Sequence, residues 1–139
     1  MKKTPRGIRN CNPGNIRHGE NWEGLHPYSN ELDNSFCVFI SAKYGIRALC
    51  KILMTYKKKY GIDTIQGVIN RYAPPVENDT DYYIKHVAQK LGVEPTQPVN
   101  ILQPEVMFLL ISAIILHENG KQPYSEADIR AGMLLAGLQ

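Results

Sequence analysis

From Ser41 onward, apolar residues recur at helical spacing. Ser41 is a plausible N-cap, and Ile46, Leu49, Cys50 and Leu53 follow at i, i+3, i+4 and i+7. Lys43, Arg47, Lys51 and Lys57 to Lys59 lie off that stripe or in the last turn, where cations suit the helix dipole, and Gly61 ends the segment. Asp63 or Thr64 opens a second, shorter helix through about Tyr72, stopped by Pro74-Pro75. Asn78 or Asp79 caps a third helix with the face Ile84, Val87, Ala88 and Leu91, closed by Gly92. Pro104 fits the first turn of a fourth. Its stretch Val106 to Leu116 is apolar almost all round, which predicts a helix at the centre of the fold. Ser125 with Asp128 makes a capping box for a last helix, Glu126 to about Leu135.

Residues 1–40 lack this periodicity and are rich in Gly, Pro and Asn. They read as loops with one small β-hairpin, Asn15-Ile16-Arg17 pairing with Phe36-Cys37-Val38-Phe39. The expectation is a mainly α (α+β) domain of about five helices and one hairpin, occupying residues 1–139 as a single unit.

Composition changes this picture little. The 139 residues suit one core, and the 43% that are hydrophobic suffice to fill it. A net charge of +3 is too small to argue for nucleic acid, and Lys57-Lys58-Lys59 reads as a solvated helix end. Three cysteines, with no C-x-x-C pair, argue against a zinc site or a disulfide framework. Cys50 falls on an apolar face, and whether Cys11 and Cys37 pair is left open. The charged start Met1-Lys2-Lys3 is not followed by an apolar segment, so no secretory signal is read. The run Val106 to Leu116 is too short to span a bilayer.

The candidate chemistry centres on Glu118. The sequence His117-Glu118-Asn119-Gly120 ends the most apolar helix, with Gly120 or Asn119 turning the chain out of it. A carboxylate there meets the negative end of the helix dipole and the dehydrating side chains of Ile114 and Ile115. Both raise its pKa, leaving an acid able to give a proton to a glycosidic oxygen. Position alone also allows a Glu that points into solvent. A second cluster is Arg6-Gly7-Ile8-Arg9-Asn10-Cys11-Asn12-Pro13-Gly14-Asn15-Ile16, whose amides suit sugar hydroxyls and N-acetyl groups. Trp22 offers an aromatic platform nearby. Asx turns explain the same asparagines, and a core position explains the same Trp. A third cluster runs from Arg71 to Tyr83. In it Tyr72 is the best candidate to line a cleft, and Glu77 is the spare carboxylate.

Together these clusters resemble the lysozyme-like superfamily, especially lytic transglycosylases and autolysin-type glucosaminidases. Ile114 to Gly120 looks like the core helix that ends there in a catalytic Glu. Asn12 to Ile16, Trp22-Glu23-Gly24 and Phe36 to Phe39 look like the Asn-containing segment entering a hairpin. Tyr72-Ala73-Pro74, then Tyr82 or Tyr83 and Val87, are similar to the aromatic-Ala turn and the helix after it. Here the Glu helix comes last, so the chain looks circularly permuted. From about residue 6 to 136 it also resembles small phage and prophage proteins with an Arg-Gly-Ile-Arg-Asn…Asn-Pro-Gly-Asn-Ile opening. These are described as virion-associated or structural, with a lytic role ascribed to them. Cys11 stands where that family's pattern has Asn.

The resemblance implies a peptidoglycan-cleaving enzyme acting between N-acetylmuramic acid and N-acetylglucosamine. Glu118 would be its general acid and base, with Asn12, Asn15, Trp22, Tyr72, Glu77 and Tyr82 binding the glycan. Lytic transglycosylase is favoured over muramidase hydrolysis, since no partner carboxylate lies close in sequence; Asp33 or Glu20 would have to supply one in space. The competing expectation is a non-enzymatic phage structural protein with the same fold. The expected partners are peptidoglycan strands and other virion or tail proteins, without nucleic acid, metal, cofactor or membrane span. The expected route is synthesis in the bacterial cytoplasm and action at the cell wall or periplasm, carried in a virion.

Overall fold

The computed structural model describes residues 3–76 and 78–139. Among them the chain forms seven helices: α1 (Arg6–Arg9), α2 (Ser29–Leu32), α3 (Ala42–Tyr60), α4 (Ile65–Tyr72), α5 (Thr80–Leu91), α6 (Pro104–Asn119) and α7 (Glu126–Leu135). The long helices α3 to α7 are the five the pattern predicts. The single turns α1 and α2 lie in the segment that carries no periodicity.

The helix ends follow from local chemistry. The Thr64 hydroxyl accepts from the Gly67 amide, the Asp79 carboxylate from the Tyr82 amide, and the Ser125 hydroxyl from the Asp128 amide. Gly61, Gly92 and Gly120 end α3, α5 and α6 in the left-handed conformation. Ser41 occupies the N-cap of α3, but its hydroxyl makes no capping bond and is buried without a partner.

α6 is the central element. It packs against α5, α7, α1 and α3. Met107, Leu110, Ile111, Ile114 and Ile115 on it are wholly buried. Each such side chain contributes roughly 1.5–3 kcal/mol by leaving water, and Ile114 and Ile115 anchor the helix just before its last turn. α7 lies mainly on α3, where Gly132 lets the two backbones approach: a Cβ there would sit 2.5 Å from Ile46 Cγ2. α4 packs on α5, forming the other wing.

The front segment does not form the expected hairpin. Two isolated antiparallel bridges, Arg17 with Phe36 and Leu25 with Phe39, take its place. Side chains occupy the backbone groups a ladder would use. Asn12 Nδ2 donates to the Ile16 and Cys37 carbonyls, and Asn12 Oδ1 accepts from the Ile16 amide. Asp33 accepts from the Ser35 and Phe36 amides, and the Ser29 hydroxyl from the Val38 amide. Asp33 is also gripped by Arg6 through two bonds of 2.7 and 2.8 Å, and by Asn10. These bonds hold its carboxyl far below the usual range, Arg6 contributing most. Cys11, Cys37 and Cys50 are free thiols, so Cys11 and Cys37 do not pair.

Candidate functional site

Glu118 sits in the last turn of α6 and lines a groove of about 490 Å³. The groove is walled by the 14–17 segment and Phe36 on one side and by Tyr72, Ala73 and Pro74 on the other, with Ile52 and Tyr56 of α3 also lining it. The carboxylate is half-buried and held at both oxygens. Asn15 Nδ2 donates to Oε1 at 2.9 Å, and the Tyr83 hydroxyl donates to Oε2 at 2.8 Å. Burial pushes the Glu118 pKa above the ordinary carboxylate value, and the two hydrogen bonds pull it part of the way back. The carbonyl end of α6 acts in the same direction as burial.

Three features build this arrangement. Asn15 takes a left-handed backbone conformation, φ 52°, which Asn tolerates better than most residues. Asn119 Nδ2, next to Glu118, donates to the Pro13 carbonyl at 2.8 Å and the Ile115 carbonyl at 2.9 Å. It thus ties the end of α6 to the 12–15 turn. Gly7 of α1 leaves room for both amides, since a Cβ there would lie 2.5 Å from Asn119 Oδ1 and 2.8 Å from Asn15 Oδ1.

Tyr72 closes the opposite wall. Its hydroxyl donates to the Gly14 carbonyl, an approach open only because residue 14 lacks a side chain. Burial, reinforced by the Glu118 charge, raises the Tyr72 pKa well above the phenol range, and Tyr83 is shifted the same way by the same causes. Both phenols therefore stay protonated donors at any ordinary pH.

Of the residues singled out from sequence, the groove unites Glu118, Asn15 and Tyr72. Asn12 does not reach it: the side chain is fully buried and its amide is committed to the backbone of residues 16 and 37. Trp22 packs against the hydrophobic core, away from the groove lining. Tyr82 is 60% exposed and stacks on His86, outside the groove. Glu77 lies outside the described residues. Asp33 is buried against Arg6, and Glu20 is exposed away from the groove, so neither offers Glu118 a partner. Among the described residues lining the groove, Glu118 is the sole carboxylate.

Sequence reasoning named Tyr83 only as the alternative to Tyr82, took Asn119 as a candidate helix terminator, and gave Gly7 no role of its own in the site. Tyr83 was legible: it lies four residues before Val87, on the same apolar stripe as Ile84, Ala88 and Leu91, whereas Tyr82 falls off it. A second cavity, about 580 Å³, lies on the other side of α5 among Gln66, Ile84, Lys85 and Val93. Its lining also holds Asp81 and Glu94 and shares no residue with the groove at Glu118. Among the described residues, no three His, Cys, Asp or Glu side chains are placed to hold a metal ion. Among the same residues, no helix is long and apolar enough to cross a membrane.

No protein-family model matches the chain. Protein P5 of Pseudoalteromonas phage PM2 is 43% identical to it over 136 residues, covering 95% of this chain and 82% of that protein. Likeness of that degree over nearly the whole length reflects common descent, and the chain belongs to the family that includes Protein P5 of phage PM2.

Proposed function

We propose that the protein cleaves the β-1,4 bond between N-acetylmuramic acid and N-acetylglucosamine in peptidoglycan, with Glu118 as general acid and then base, in a circularly permuted lysozyme-like domain. The observation that carries this reading is the environment of Glu118: one carboxyl group, half-buried at a groove, with a raised pKa and both oxygens fixed by neutral donors. A protonated, oriented acid is what the first step requires. It gives its proton to the glycosidic oxygen as the bond breaks and oxocarbenium character develops.

The products depend on the second step. With no second carboxylate among the described groove residues, the ionised Glu118 takes the proton of the muramic 6-hydroxyl, which closes on C1 to give a 1,6-anhydro end. Lytic transglycosylase is thus favoured over hydrolysis. Asn15 and Tyr72 border the space a sugar would fill, with Arg17 and Phe36 also lining it. The test is digestion of purified peptidoglycan, with mass spectrometry of the soluble fragments. Anhydro ends support the transglycosylase reading, reducing ends alone would replace it with hydrolysis, and intact substrate would refute cleavage.

The phage relative favours one other reading, a virion component that binds glycan or assembles with other virion proteins without cleaving anything. Binding to insoluble peptidoglycan without release of fragments would select it. On the enzymatic reading the work is done at the bacterial wall, with the protein delivered as part of a phage particle.

A further inference from the structure

Behind Glu118, on the face of α6 turned to α5, lies a cluster that the proposed reaction does not use directly. His86 Nδ1 and His117 Nδ1 are 2.9 Å apart. The ring of His117 stacks on the ring of Tyr83 at 3.7 Å between centroids and 24° between planes. Tyr83 is the phenol that donates to Glu118 Oε2. The four side chains therefore form a continuous series from His86 through His117 and Tyr83 to the carboxyl group, crossing repeatedly between the two helices.

Two imidazole nitrogens at this distance must hold one proton between them. With none, two lone pairs face each other; with two, two N–H groups do. Only the singly protonated contact is attractive. We propose that His86 and His117 are positioning residues that share one proton and, through the stack on Tyr83, hold the phenol against Glu118, and that a second proton on this contact drives the rings apart and frees Tyr83.

The surroundings fit this role. The titratable groups facing His117 are His86, Tyr82 and Tyr83 from α5 and Asp79 at the N-cap of that helix; Glu118 is its neighbour on α6. Burial pushes the His117 pKa below the usual imidazole value, and His86 adds to that shift while Asp79 opposes it. Tyr82 lies over the outer side, its ring 6.0 Å from His86 and 5.7 Å from His117. The pair is therefore shielded on one face without being sealed from solvent. For activity, the inference rests on the reading of Glu118 as the acid. A single carboxylate that must start protonated explains a loss of rate toward high pH only; the histidine pair adds a loss toward low pH.

The experiment is an NMR titration of the full chain, tracking the ring nitrogens of both histidines together with Tyr83 Cζ and Glu118 Cδ. The expected result is two imidazole steps split by more than about one pH unit, as interacting sites require. Tyr83 and Glu118 signals should move with the lower step, and His86→Phe should abolish that coupled movement. Two imidazoles titrating independently, or a split titration that leaves Tyr83 and Glu118 unmoved, would overturn the proposal, and the wild-type protein alone suffices to show either. The pH–rate profile on peptidoglycan adds a second readout, with the acid-side fall lost in His86→Phe and the alkaline side kept. Coupled titration without any glycan cleavage would leave the pair standing and remove the enzymatic reading; cleavage with no acid-side fall would do the opposite.

Discussion

At the residue scale, the proposed chemistry turns on Glu118, whose burial favours the protonated form while two donors orient it. Burial disfavours its carboxylate, so the folded protein binds this proton more tightly than the unfolded chain does. Above the unfolded carboxylate pKa the unfolded state gains ionisation that the folded state is denied, and stability falls as pH rises toward the folded pKa. Glu118→Gln removes that penalty while keeping the shape of the side chain. Its melting temperature should exceed that of the wild type at pH 7, with the difference vanishing near pH 4, by circular dichroism; a lower value at pH 7 would show that the carboxylate stabilises the fold. The donor to Oε2 is equally specific. Tyr83→Phe should cost about 1 kcal/mol in urea denaturation and raise the Glu118 pKa, because the bond it removes favours the charged form. Tyr82→Phe should change neither, since Tyr82 is exposed and makes no bond to the carboxyl group.

At the scale of elements, α6 and the front segment meet at the site for different reasons. α6 is placed by its apolar girth, and the front segment by polar side chains that replace a regular ladder. The Arg6–Asp33 pair is the chief of these. Asp33→Asn keeps the amide hydrogen bonds in part but removes the charge on which Arg6 and two backbone amides converge. A loss of about 2–3 kcal/mol is expected at pH 7 by chemical denaturation. Because the folded pKa of Asp33 is depressed, its contribution is present above the unfolded value and disappears as pH falls through the folded one, so mutant and wild type should converge in strong acid. The long helices were legible because caps, left-handed glycines and apolar stripes are all written in short spacings. The front segment was not: a bond from Asn12 to residue 37, or from Arg6 to residue 33, leaves no period in the sequence. For the same reason Asn12 and Asn15 look alike in sequence, though one is sealed in a turn and the other touches the acid.

At the scale of the molecule, the site joins the two ends of the chain. Asn15 and Glu118 are 103 residues apart, and Asn119 bonds across 106 residues to Pro13. Sequence patterns pointed to both partners through a likeness in the pieces around them, but only folding shows that they touch. Trp22 illustrates the converse: an aromatic residue near sugar-like amides in sequence is turned to the core in space. The kinship with Protein P5 of phage PM2 covers nearly the whole chain and supports a phage origin. The most direct measurement is mass spectrometry of purified peptidoglycan incubated with wild-type protein and with Glu118→Gln, both verified as folded. Soluble fragments with 1,6-anhydro ends from the wild type and none from the variant are the expected result. Equal release by both proteins, or release by neither, would contradict the assignment of Glu118 as the acid that breaks the glycan.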